Sequence, residues 1–218
     1  MDGNRRWARA QDLPTLEGHT KGYYNLRELS RYIFKQKHIP FLTVYAFSSE
    51  NWSRTKAEVS YLMKLVARAL DEFMEECQAE DLRIVVLGRR DRLSKKVLKA
   101  VEQAEASTRD NRSGTLAICF NYGGQQEIVD AAKSLAEQRI PADQIDPEKF
   151  AQQLYHPEVP AVDLLIRTSG EQRLSGFMLW RAAYSELYFI DKHWPAMTKQ
   201  DIDKALDEYA SRQRRYGK

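Results

Sequence analysis

Phe41-Leu42-Thr43-Val44-Tyr45-Ala46-Phe47 runs directly into Ser48-Ser49-Glu50-Asn51-Trp52-Ser53-Arg54, and this junction decides the fold. The first seven residues favour β structure and are almost continuously apolar, as in a strand covered on both faces. The next seven are polar. They lie at the carboxyl end of a strand, where open α/β sheets place their ligands. Thr55-Lys56-Ala57-Glu58 then has the pattern of a capping box. It opens a helix to about residue 79, with Val59, Leu62, Met63, Val66, Leu70, Phe73 and Met74 on one face.

The same unit recurs outward from this junction. Downstream, 82–87 reads as a strand and Gly88-Arg89-Arg90-Asp91 as its loop, followed by a charged amphipathic helix over 93–108. Residues 115–120 form another buried-looking strand, and Asn121-Tyr122-Gly123-Gly124 turns into a helix over 125–137. Asp146-Pro147 starts a short helix, with aspartate as cap and proline at the first helical position. A short strand over 162–166 leads into the arginine-bearing loop Arg167-Thr168-Ser169-Gly170-Glu171-Gln172-Arg173-Leu174-Ser175. Residues 186–189 read as a last strand, and Thr198 caps a final helix that frays into 212–218. Upstream, Glu17-Gly18-His19 follows a loop over 11–15, and a helix over 20–37 carries Tyr23, Leu26, Leu29, Tyr32 and Ile33 at helical spacing until Ile39-Pro40 ends it. Strands alternating with helices predict a single α/β domain over 1–218, with a mainly parallel central sheet flanked by helices. Residues 107–114 are polar enough for a linker and are read as a surface loop.

A chain of 218 residues suits one domain, or at most two. Hydrophobic residues at 43% and charged residues at 30% place it among globular proteins. A net charge of +3, with a pI near 8.7, is too mild to argue for nucleic acid and suits a small anionic substrate. Cys77 and Cys119 lack metal-ligand spacing and read as reduced thiols, buried or incidental. No apolar run approaches membrane-spanning length and no signal peptide is visible, so a cytoplasmic location is expected.

Met1-Asp2-Gly3-Asn4-Arg5-Arg6-Trp7 carries the densest chemistry. Gly3 lets the backbone turn and approach a ligand closely. Backbone N–H groups in such a turn can hold an anion, and Arg5 and Arg6 add forked donors for phosphate oxygens. Asp2 is the odd acid among them. A divalent cation between Asp2 and a phosphate reconciles the set, since Mg²⁺ is usually held by one or two carboxylates plus substrate phosphates. A charged amino terminus with no role is the alternative these residues leave open. A phosphate loop ordinarily follows a strand, so the pattern lacks its first strand ahead of residue 1. A chain extended upstream is expected to be more stable and more active.

Four motifs in order then carry a resemblance: Met-Asp-Gly-Asn-x-Arg-Trp-Ala at the start, Tyr45-Ala46-Phe47-Ser48-Ser49-Glu50-Asn51-Trp52, Asn121-Tyr122-Gly123-Gly124, and Asp163-Leu164-Leu165-Ile166-Arg167-Thr168-Ser169-Gly170-Glu171. Together they resemble the cis-prenyltransferases, most closely the bacterial undecaprenyl diphosphate synthases, over nearly the whole chain. The resemblance implies an enzyme that extends an allylic diphosphate, usually farnesyl diphosphate, with isopentenyl diphosphate units. Each new double bond is cis, and the product serves as a polyprenyl diphosphate lipid carrier precursor. It also implies a parallel sheet with a hydrophobic tunnel, use of Mg²⁺, a homodimer, and peripheral membrane contact through the product alone. The apolar faces of 55–79, 41–47 and 115–120 supply either tunnel wall or ordinary core.

By the same resemblance Asp2 is the essential aspartate and a metal ligand, with Glu186 as a second metal-associated acid. Gly3, Asn4, Arg5 and Arg6 grip the allylic diphosphate, with Arg5 carrying a backbone role where relatives have glycine. Trp7 contacts substrate or packs under the loop, and His19 lies near the same diphosphate. Ser48, Ser49 and Glu50 line the substrate loop, accompanied by Trp52 and Arg54. Asn51 assists loss of the C2 proton; an amide is a poor base, so orienting a diphosphate or relaying a proton suits it better. Arg167, Arg173, Leu174 and Ser175 match the isopentenyl diphosphate site, where two guanidinium groups and a hydroxyl make chemical sense. Without that pattern the arginines would read as surface salt bridges. Several positions depart from the family. Thr15 replaces an arginine, removing a charged contact of roughly 1.5–3 kcal/mol. Gln125 replaces another arginine, Gly176 an asparagine, and Gln172 a histidine found in some members. A non-catalytic partner subunit is the alternative function, opposed by the retention of Asp2, Asn51, Arg167, Arg173 and Glu186 together. Trans-type prenyltransferases need Asp-Asp-x-x-Asp motifs and nucleotide-binding domains a Gly-x-x-x-x-Gly-Lys loop, and neither is present.

Overall fold

The apolar runs become strands with nearly the expected bounds. In the computed structural model, which describes residues 1–212, the chain order is α1 (Asn4–Ala10), α2 (Thr15–Lys37), β1 (Phe41–Ser48), α3 (Lys56–Ala79), β2 (Leu82–Leu87), α4 (Lys95–Ser107), β3 (Gly114–Tyr122), α5 (Gly124–Glu137), α6 (Pro147–Ala151), β4 (Leu164–Thr168), β5 (Glu186–Ile190) and α7 (Lys199–Ser211). The expected frayed tail beyond 212 lies outside the described residues. Every strand pair is parallel, as the α/β alternation requires. The strands form two sheets among the described residues, β1-β3-β2 and β4-β5. The chain divides into two compact units, one of 1–32, 162–173 and 184–218, the other of 33–161 and 174–183.

In the second unit β3 is central, and its residues from Leu116 to Tyr122 are buried throughout. Phe47, Ile84, Leu87, Leu116 and Phe120 are all at most 1% exposed. Each such side chain stabilises the fold by about 1.5–3 kcal/mol through its removal from water. Helices α3 and α4 pack on each other and on β2. The expectation that 41–47 is covered on both faces needs correction. β1 is an edge strand, and only Val44 and Phe47 within it are buried. The 107–114 segment is a tied surface loop: Asn111 Nδ2 donates to the carbonyls of Cys77 and Leu82 at 3.1 and 2.8 Å. Both cysteines are buried and free.

In the first unit α2 starts at Thr15, before the expected residue 20, so Glu17-Gly18-His19 is helical. Two glycines explain this. A Cβ at Gly18 would lie 2.0 Å from the Asn4 carbonyl oxygen, and one at Gly22 would lie 2.2 Å from Asn4 Oδ1. Their absence forms a notch in α2 that seats the start of α1. Trp194 completes the joint: its indole N–H donates to the Gly22 carbonyl at 2.8 Å and its backbone N–H to the Asp2 carbonyl at 2.9 Å.

Candidate active site

Asp2 is held at the carboxyl end of β4. The Thr168 hydroxyl accepts from the Asp2 N–H at 2.8 Å and donates to the Asp2 carbonyl at 2.9 Å. Gly3 follows with φ +92°, in the left-handed region that suits glycine. A Cβ there would lie 2.0 Å from Ser169 Oγ and 2.6 Å from His193 Nδ1, and those two atoms are 2.9 Å apart. The turn that presents Asp2 therefore excludes every other residue at position 3.

Two carboxylates and three guanidinium groups meet here. Asp2 Oδ1 accepts from the Gly3 N–H at 2.7 Å, and Oδ2 accepts from Arg167 Nη2 at 3.2 Å and lies 3.5 Å from Arg6 Nη2. Arg6 Nη1 also donates to Glu171 Oε1 at 2.9 Å, and Arg173 Nη1 donates to the other oxygen of Glu171. Arg167 Nη1 donates to the Arg173 carbonyl. Burial opposes the Asp2 charge, but the Gly3 N–H and Arg167 hydrogen bonds and the Arg6 and Arg167 charges outweigh it, holding its pKa below the usual carboxylate value. The Arg173 hydrogen bond lowers Glu171 likewise. Both acids are thus anionic at neutral pH. The cluster offers forked donors to an anion and one carboxylate edge to a cation.

The remaining expected residues of this unit divide. Arg5 is exposed on α1, Trp7 is half-buried on it, and His19 is half-buried in the second turn of α2. Asn4 turns toward α2: its Oδ1 is buried without a hydrogen-bond partner and its Nδ2 donates to the Met1 carbonyl at 3.3 Å. Glu186 departs from the expectation of a metal pair with Asp2. It opens β5 opposite Leu164, while Asp2 sits at Thr168, opposite Ile190. That separation of four residues is about 13 Å along a parallel strand. The Glu186 carboxylate is instead paired with Arg212 at 2.9 Å. The donor set therefore fits Mg²⁺ at Asp2 with substrate phosphates, and does not fit a shared Asp2–Glu186 site within one chain.

The second unit carries the other expected residues at the carboxyl ends of its strands. Ser49–Ser53 is a tight helical turn after β1. The Ser48 N–H donates to Asn51 Oδ1 at 3.1 Å, so Asn51 has its NH₂ to offer, which suits a phosphate oxygen better than a departing proton. Ser49 Oγ donates to the Tyr122 carbonyl at 3.4 Å, and a Cβ at Gly123 would lie 2.5 Å from Ser49 Oγ. Trp52 Nε1 donates to Asn121 Oδ1 at 2.7 Å. Glu50 is exposed and half-buried Arg54 pairs with Glu58 at 2.9 Å. This corrects the expected capping box: Thr55 accepts from the Glu58 N–H, but the Glu58 carboxylate turns to Arg54. Half-buried Leu174 and exposed Ser175 lie on a turn in which Gly176, at φ +76°, accepts from the Gly124 N–H at 2.8 Å. The departure from asparagine is benign there, because glycine and asparagine both adopt left-handed backbone.

Thr168, Ser169 and Glu171, neighbours of Asp2 or of its arginines, and His193, which meets Ser169 beside Gly3, are residues that sequence reading did not single out. Glu171 had a signal, an acid within an arginine-bearing loop. His193, 191 positions from Asp2 in the chain, had none.

The whole chain has relatives. Residues 1–217 match the prenyltransferase family model described as "Putative undecaprenyl diphosphate synthase". An isoprenyl transferase of Thermotoga maritima is 44% identical over 100% of this chain and 94% of its own length. The ditrans,polycis-undecaprenyl-diphosphate synthase ((2E,6E)-farnesyl-diphosphate specific) of Micrococcus luteus is 39% identical over 100% of this chain and 88% of its own. Lavandulyl diphosphate synthase of Lavandula x intermedia, solved in complex with dimethylallyl diphosphate, superposes with a TM-score of 0.94 at 33% identity, covering 100% of this chain and 95% of that one.

Proposed function

The chain belongs to the undecaprenyl diphosphate synthase family of prenyltransferases, and from that premise we propose that it elongates an allylic diphosphate, farnesyl diphosphate first among them, with isopentenyl diphosphate units. The observation that carries this reading is the cluster of Arg6, Arg167 and Arg173 around Asp2 and Glu171 at the end of β4. In each cycle the allylic carbon–oxygen bond breaks and diphosphate leaves with the electron pair. A carbon–carbon bond forms to the terminal alkene carbon of isopentenyl diphosphate, and the C2 proton is lost to give a cis double bond.

The residues divide this work. Gly3 and Arg6, with Asn4 seating the turn, hold the allylic diphosphate; Arg5, Trp7 and His19 border it. Arg167 and Arg173, followed in the chain by Leu174 and Ser175, hold isopentenyl diphosphate by forked donation. Asp2 would hold Mg²⁺, which when bound neutralises charge developing on the departing diphosphate. Ser48, Ser49 and the Asn51 NH₂ orient substrate oxygens at the end of β1, with Glu50, Trp52 and Arg54 completing that turn. Half-exposed Val59, Met63, Val66 and Met74 of α3 and Leu42 and Ala46 of β1 offer apolar wall for the growing chain. In this reading 1–218 is one catalytic domain, acting in the cytoplasm as a homodimer and touching membrane through its product. No helix among the described residues is long and apolar enough to cross a membrane.

The test is incorporation of radiolabelled isopentenyl diphosphate with Mg²⁺ and allylic primers of increasing length, with products separated by size. Long cis products primed by farnesyl diphosphate are expected. No incorporation with any primer would overturn the reading.

A further inference from the structure

The Asn121-Tyr122-Gly123-Gly124 motif has no role in the proposed chemistry, yet Asn121 is the most fully engaged amide at the strand ends. It is 6% exposed and its backbone is left-handed, at φ +49°. Its Oδ1 accepts from the Trp52 indole N–H at 2.7 Å. Its Nδ2 donates to the carbonyls of Arg89 and Asp91, each at 2.9 Å. The amide thus joins the turn after β1 to the loop after β2. That loop is seated on β3 as well: a Cβ at Gly88 would lie 2.1 Å from the Phe120 carbonyl oxygen.

The loop returns to Trp52 from a second direction. The Arg92 guanidinium lies over the Trp52 ring, 4.4 Å from its centroid, close enough for a cation–π attraction. Phe47, fully buried, meets the same indole edge-on at 5.1 Å. One ring is therefore held at its N–H, by a guanidinium over its face and by a phenyl ring nearly perpendicular to it, from three parallel strands or the loops that follow them. Asn51 is the next residue back in the chain, within the same five-residue turn.

We infer that Asn121 and Arg92 are positioning residues: they latch the Trp52 indole and so fix the Ser49–Ser53 turn that presents Asn51. The assignment rests on the role proposed for that turn in prenyl transfer. A reacting or orienting group displaced by an ångström can lose a large factor in rate, so the latch acts on turnover more than on substrate affinity. The Arg92 contact adds little to global stability, because Arg92 is exposed.

Arg92→Ala, Arg92→Lys, Trp52→Phe, the Arg92→Ala/Trp52→Phe double variant and Asn121→Ala test this by two readouts. The first needs no catalysis: acrylamide quenching of tryptophan fluorescence. Removing Arg92 should raise quenching, and the rise should vanish in the Trp52→Phe background, which separates Trp52 from the chain's other three tryptophans. Asn121→Ala should raise quenching in the same way. The second readout is steady-state kinetics. Arg92→Ala should lower kcat by roughly two- to fivefold, the rate equivalent of the ~0.5–1 kcal/mol that an exposed cation–π contact holds, with KM for isopentenyl diphosphate changed by less than about twofold. Arg92→Lys should recover part of the loss, and the double variant should be no slower than Trp52→Phe. Unchanged quenching in Arg92→Ala, or losses that multiply in the double variant, would overturn the latch. A wild-type chain that elongates nothing would instead overturn the proposed function, while the quenching comparison would still decide the latch.

Discussion

Two arginine–carboxylate clusters in this molecule use the same functional groups to opposite ends. In the second unit, Arg181 and Glu127 form an ion pair at 2.8 Å with side chains only 4% and 1% exposed. Arg181 also donates to the carbonyls of Val159, Tyr155 and His156, and Glu127 accepts from the Tyr122 hydroxyl and the Tyr155 N–H. Nearly every polar valence is consumed internally. Around Asp2, by contrast, the side chains of Arg6, Asp2 and Arg173 are 43%, 39% and 60% exposed. Those charges are paired yet within reach of solvent, so a ligand can exchange places with a partner. A buried, saturated ion pair serves the fold; a half-exposed cluster with more guanidinium than carboxylate groups serves an anion.

The contrast breaks most readily at Arg181. Arg181→Met leaves Glu127 as an uncompensated buried charge and should cost about 3–5 kcal/mol of stability, measured by urea unfolding. KM for isopentenyl diphosphate in the folded protein should be unchanged. A clear rise in that KM with no loss of stability would erase the distinction between the clusters.

Glu171→Gln sharpens it from the other side. Glu171 occupies donors of Arg6 and Arg173 that a diphosphate needs, in pairs open to solvent. Exposed pairs of this kind are weak and screened by solvent. Neutralising the acid should therefore tighten inorganic diphosphate binding by up to roughly fivefold, read by calorimetric titration. Weaker binding would show that Glu171 orients the arginines and does not compete for them.

The smallest effect concerns His156 in the second unit. The Glu105 hydrogen bond chiefly raises its pKa, against burial, and Glu158 adds to it. Arg90 and Arg83 face the same acids. A raised folded pKa stabilises fully below the unfolded value of 6.5 and is lost as pH climbs through the folded value. Melting temperature should fall slightly as pH rises above 6.5, by less than about 1 kcal/mol equivalent. His156→Gln should flatten that slope; an unchanged slope would remove the histidine from the account.

Much of the fold was legible because local patterns agree with tertiary placement. The strand at Leu82–Leu87 is apolar except for Arg83 and is bounded by Asp81 and Gly88, so its limits were read to the residue. The Asp146 cap and Pro147 fixed α6 in the same way, with Asp146 Oδ1 accepting from the Lys149 N–H at 2.7 Å. The start of α2 was misplaced because Gly18 reads locally as a helix breaker, whereas here it admits Asn4. The exposure of β1 depends on its place at a sheet edge, which no local pattern encodes. The first seven residues announced a phosphate-and-cation site by their chemistry, but how the rest of the site gathers around them was legible only through resemblance. Asp2 and Arg167 meet across 165 positions, and nothing near either one announces the other. Glu186 shows the limit of that route, since a matching motif placed it with the metal while strand register puts it at the other end of β5. Arg92 was missed because a lone exposed arginine looks like any solvated charge until the ring beneath it is seen.

Turnover and unfolding of Asp2→Ala, measured side by side with the wild type, decide whether the cluster around Asp2 is catalytic. Asp2 is half-exposed and belongs to the ligand-facing cluster, so the urea unfolding free energy should change by no more than about 1–2 kcal/mol. Incorporation of isopentenyl diphosphate onto farnesyl diphosphate should fall about 10²–10³-fold, as for loss of a group that stabilises transition-state charge. Turnover retained by Asp2→Ala, with stability intact, would contradict the assignment of this cluster to catalysis.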